Sequence, residues 1–129
     1  MRARKVSIVT PYMRPLTDLV VDYIAHEGIA VQDSIALEIP DNLEVGRRDP
    51  LALIGDVDAL DLSGVDAVVL SACVQMPSLP AIEAVQDKLG LPVITAATST
   101  GRVMLQRLGL EPVSTGAGFA LSDRFGPLR

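Results

Sequence analysis

A chain of 129 residues, 49% apolar and with a formal net charge of −5, is the size of one domain with a full aliphatic core. The acidic balance argues against nucleic acid and anionic membrane surfaces as partners, and 3% aromatic content without tryptophan leaves no stacking platform or aromatic cage. One cysteine excludes an internal disulfide and fits a reducing, cytoplasmic compartment.

The basic start, Arg2, Arg4 and Lys5, reads as a solvated tail. It leads into an apolar run, Val6 to Val9, that is far too short for a signal-peptide core or a membrane span. Lys5 to Thr10 reads as a buried strand. Pro15 to Glu27 places Leu16, Leu19, Val20, Tyr23 and Ile24 at helical spacing, with Gly28 as the stop. Ile29 to Ile39 reads as a second strand and Pro40 to Arg48 as a polar loop with a turn at Asp41-Asn42. Asp49 to Ala59 is expected as one helix, capped by Asp49 with Pro50 at its first position.

Asp66 to Ser71 reads as a third, central strand. Ser78 to Leu89 is a helix with Ser78 as N-cap and Gly90 as stop. Pro92 to Thr95 is a short fourth strand, and Ala96 to Leu108 a helix ending at Gly109. Residues from Gly116 onward form a weakly patterned tail. The alternation predicts an α/β fold of flavodoxin-like type: an open, parallel, four-stranded sheet in a three-layer sandwich. Ligands of such sheets sit at the carboxyl ends of the strands. Three loops could meet there, those after the first, second and third strands.

Cys73 ends the third apolar run, just before a helix whose N-terminus faces back toward it. That placement favours an anion and a thiolate. A small buried apolar residue is the alternative. The backbone N–H groups of Val74 and Gln75 follow in the same turn and would donate to a carboxylate. Tyr12 follows the first strand, and Asn42 the second. One reads either as a half-buried loop aromatic or as a phenol donor, the other either as a turn residue or as an amide that orients a carboxylate. His26 has no second histidine or neighbouring cysteine for a metal site, and the STGAG segment lacks a phosphate-loop lysine. Ser71 and Ser99 have no histidine placed for a triad.

The segments KVSIVTPYMRPLTDLVVDYIAHEGI, PDNLEVGRRDP and LSACVQMPSLPAIEAVQDKLGLPVITAATST stand in this order over residues 5–120. Together they resemble the second half of Asp/Glu racemase superfamily proteins. The maleate cis-trans isomerase branch is the most similar, with arylmalonate decarboxylase beside it. The resemblance implies two similar domains across a cleft, each giving one cysteine, and no metal or organic cofactor. It implies that Cys73 is the acid/base and that Val74 and Gln75 are backbone donors. It further implies that Tyr12 and Asn42 bind a small dicarboxylate.

The chain departs from that pattern in having one cysteine and, as read here, a single domain with a core at 4–115 and a tail at 116–129. A homodimer or a missing N-terminal partner domain would complete the site, and the tail would pack on that partner or lie disordered. Isomerisation of a maleate-like dicarboxylate is the leading expectation. The rivals are decarboxylation of substituted malonates, a racemase-like activity, and a non-catalytic module that binds a carboxylate or dimerises.

Overall fold

β-Branched and aliphatic residues dominate Lys5–Thr10, which forms β1. The computed structural model describes residues 2–71 and 75–125. After β1 come α1 (Arg14–His26), β2 (Ala30–Ala36), α2 (Asn42–Arg47), α3 (Leu53–Asp56), β3 (Ala67–Leu70), α4 (Leu79–Leu89), β4 (Val93–Ile94) and α5 (Ala96–Arg107). Single 3₁₀ turns flank α3 at Pro50–Ala52 and Val57–Ala59, and two more follow at Phe119–Leu121 and Asp123–Phe125.

The four strands form one parallel sheet in the order β2-β1-β3-β4. The chain steps from β1 outward to β2, then returns past β1 to β3. The strand order therefore reverses between β1 and β3, and that reversal opens a crevice at their carboxyl ends. The main core lies between the sheet and the α2, α3 and α4 layer. Val9, Val68, Leu70 and Val93 from the strands meet Val45, Leu53, Val57, Ile82 and Val85 there. Ile35, Leu37 and Ile39 pack at its margin, although the strand itself ends at Ala36.

Two segments differ from the sequence expectation. The expected polar loop at 40–48 contains α2. Asp41 is its N-cap and accepts from the Leu43 N–H at 2.8 Å, Glu44 lies in the first turn and Arg47 in the last. This charge order suits the helix dipole, and Val45 anchors the turn in the core. The expected helix at 49–59 is broken into 3₁₀, α and 3₁₀ turns. Asp49 does cap it, accepting from the Leu51 N–H. Gly55 sits at its centre and lowers the gain from a regular helix. Leu53, Val57 and Leu60 still reach the core at near-helical spacing.

Ser78 occupies the N-cap position of α4 but makes no capping hydrogen bond. Gly90 ends α4 at φ 64°, in the left-handed region where a side chain is strained. The described part of the weakly patterned tail, residues 116–125, is fastened to α4 and α5. The Phe119 N–H donates to Gln86 Oε1, and the buried Arg102 guanidinium donates to the carbonyls of Ala120 and Ser122. Burial lowers the Arg102 pKa.

Candidate active site

The carboxyl edge of the sheet is built by extending its own ladder into the loops. Beyond the last β1–β2 pair, Leu37 N–H donates to the Thr10 carbonyl, Ile39 N–H to Pro11 and Glu38 N–H to Tyr12. Across the reversal point, Ser71 N–H donates to the Val9 carbonyl at 2.8 Å. The loops after β1, β2 and β3 therefore leave the sheet side by side.

Tyr12 is half-buried directly after β1. Its loop is held from below by the buried hydroxyls of Thr10 and Thr17, 2.7 Å apart, and Thr17 Oγ1 donates on to the Met13 carbonyl. Glu38 meets Tyr12 through backbone at φ 53°, and it is the non-glycine residue with positive φ among those described. Such strain concentrates where a fold holds a site. Asn42 is the first residue of α2, not a loop residue, and it is exposed. Gln75 lies in the turn between β3 and α4, and its Nε2 donates to Asn42 Oδ1 at 2.8 Å. Asn42 and Gln75 are thus joined directly, and Tyr12 is tied through main chain to Glu38, in the segment that leads from β2 to α2. Cys73 and Val74 lie outside the described residues. Cys73 follows Ser71, the last residue fixed against β1, by two positions.

From sequence alone, Gln75 is expected to act only through its backbone N–H. Its side-chain bond joins residues 33 apart, and no local pattern announces such a pair. The ion pair of Arg48 with Asp56 closes α2 onto α3 behind them. Among the described residues, no group of three histidine, cysteine or acidic side chains is placed to hold a metal ion. No helix among them is long and apolar enough to cross a membrane.

The arylmalonate decarboxylase family profile matches residues 1–121. This chain belongs to that family. It is 59% identical over 123 residues to the maleate isomerase of Geobacillus stearothermophilus, covering 95% of this chain and 49% of that protein. A solved cysteine-to-alanine variant of a Pseudomonas putida maleate isomerase, with maleate, superimposes at a TM-score of 0.89 and 52% identity. That match covers 93% of this chain and 48% of the other. A cysteine-to-serine variant of the Nocardia farcinica maleate cis-trans isomerase carries a covalently bound succinylcysteine intermediate. It matches at a TM-score of 0.87 and 45% identity, covering 92% and 49%. Arylmalonate decarboxylase itself shares the fold, at a TM-score of 0.73 and 23% identity. The chain spans about half the length of the relatives it matches.

Proposed function

We propose that this chain supplies one half of a cofactor-independent cis-trans isomerase for a small dicarboxylate of the maleate type. Its identity to maleate isomerases, 59% over 123 residues, carries the reading. Cys73 is the acid/base of this half. Tyr12 and the Asn42 amide bind the substrate carboxylates, together with the backbone N–H groups of Val74 and Gln75. Such donors stabilise charge that develops on a carboxylate.

The chemistry uses two thiols, and this chain holds one, so the second comes from a partner. A thiolate from the partner half adds to one alkene carbon of maleate, and Cys73 donates its proton to the other. The central bond is then single and rotates. Cys73 takes the proton back, the carbon–sulfur bond breaks, and fumarate leaves. The partner is either the other half of a longer protein or a second copy placed by symmetry. Exposed apolar side chains on the outer face of α1 support a partner: Leu19 is 64% exposed and Tyr23 69%, one turn apart.

Cys73 is the sole cysteine, so alkylation reads one site. Iodoacetamide is expected to label it faster than a free thiol at neutral pH, and maleate should slow the labelling. Proton NMR should show fumarate forming from maleate, with a rate that rises steeply with protein concentration and is lost in Cys73→Ser. An unreactive thiol that maleate leaves unprotected would sink the reading. The family match favours one rival, decarboxylation of an arylmalonate, which needs a single proton donor. Release of carbon dioxide from phenylmalonate, without fumarate from maleate, would select it.

A further inference from the structure

Asn42 and Gln75 stand on backbone that has little freedom to move. Val45, one turn into α2 from Asn42, is buried at 2% exposure, and Met76, next to Gln75, at 1%. Both belong to the main core. The main chain at Gly46 also lies close to the Gln75 carbonyl, which a Cβ on that glycine would meet at 3.8 Å. With both main chains pinned, the bond from Gln75 Nε2 to Asn42 Oδ1 sets how the Asn42 amide is turned.

That orientation matters for an anionic ligand. An asparagine side chain offers one acceptor oxygen and two N–H donors, whereas a carboxylate only accepts. If the oxygen faced the ligand, two acceptors would meet. Gln75 occupies the oxygen, so both donors can turn toward a ligand. We infer that the Gln75 side chain is a positioning residue that selects the carboxylate-binding orientation of Asn42. The inference rests on the dicarboxylate reading above and goes beyond it, since there Gln75 acts only through its main chain.

The first test needs no ligand. In the isotopically labelled chain, the Gln75 side-chain amide protons should exchange slowly and resonate apart from those of solvent-exposed glutamines. This signature should vanish in Asn42→Leu and persist in Asn42→Asp, which keeps the acceptor. Protection found on the Asn42 amide instead, and kept in Gln75→Glu, would mean that Asn42 is the donor and would overturn the assignment. The second test titrates maleate into the same chain. Gln75→Ala should weaken binding about tenfold, the loss expected for one misdirected hydrogen bond to a charged group, with an unchanged urea midpoint. Gln75→Glu should weaken it more, because the new carboxylate takes the Asn42 donors. Wild-type affinity in Gln75→Ala would overturn the positioning role. If the wild-type chain gives no response to maleate, the dicarboxylate reading fails instead, and the ligand-free signature still decides which amide donates.

Discussion

Glu38 shows how one residue holds the carboxyl edge in shape. Its neighbours continue the β1–β2 ladder, Leu37 to Thr10 and Ile39 to Pro11, while Glu38 itself donates to the Tyr12 carbonyl. Meeting all three carbonyls forces Glu38 to φ 53°. A non-glycine residue there is strained by roughly 1–2 kcal/mol. Glu38→Gly relieves the strain but adds freedom to the unfolded chain, so it should hold stability or raise it by up to about 1 kcal/mol. Glu38→Val should lower it by about 1–2 kcal/mol, because a β-branched side chain tolerates positive φ least. Urea unfolding of the two variants checks this; equal midpoints would mean that the turn has relaxed. The sequence gives no hint of this conformation, since Leu-Glu-Ile-Pro reads as the end of a strand. The candidate site residues are suggested in the sequence by position. Tyr12 and Asn42 both follow strands, but only the folded chain brings Asn42 to Gln75.

Among the elements, legibility followed how local the deciding interaction was. Lys5–Thr10 is legible to the residue because Val6, Ile8, Val9 and Thr10 are aliphatic or β-branched, as a buried parallel strand favours. The α2 helix gives no periodic signal, because its six residues carry one core anchor, Val45. The same composition that suggests a turn at Asp41-Asn42 also suits a cap. The segment after α5 carries little periodic signal, because small residues supply much of its close packing. Ala117 and Ala120 are buried, and Gly118 sits at φ 70° against α4. A Cβ on Gly118 would overlap Ile82 Cγ2, so Gly118→Ala must displace the segment or the Ile82 side chain. It is expected to cost about 2 kcal/mol or more, from overpacking and positive φ together. Arg102→Met should free the same segment by removing the donors to Ala120 and Ser122. Hydrogen exchange should then show faster exchange at Phe119, whose N–H is held by Gln86, with β1 still protected. Protection unchanged at Phe119 in both variants would show that the clasp is not what holds this segment.

Across the whole molecule, the two edges of the sheet are held by different chemistry. At the carboxyl edge hydroxyls and amides pair directly, Thr10 with Thr17, Asn42 with Gln75, and Thr95 with Thr98 as a capping box on α5, beside one carboxylate, the Asp41 cap of α2. At the amino edge the fastening groups are carboxylates. Asp66 accepts from the N–H groups of Arg4 and Lys5, which lowers its pKa. Asp61 accepts from Ser63 and from Gln32, the extra residue of a bulge in β2, and these bonds lower its pKa from 3.8 to about 2. A carboxyl group whose folded pKa is depressed contributes stability that is present above its unfolded pKa and is lost as pH falls through the folded one. The Asp61 contribution is therefore complete above pH 3.8 and disappears toward about pH 2. Asp66 acts in the same direction. Acid should thus loosen the start of β1 and the β2 bulge while the Thr10–Thr17 and Gln75–Asn42 bonds, which join hydroxyls and amides, persist. Urea midpoints followed down through that window should fall for the wild-type chain and fall less in the Asp61→Asn, Asp66→Asn double variant. Backbone NMR over the same range should lose the amides of Arg4 and Lys5 before that of Ser71. Loss in the opposite order would mean that the candidate site depends on acidic groups other than these two.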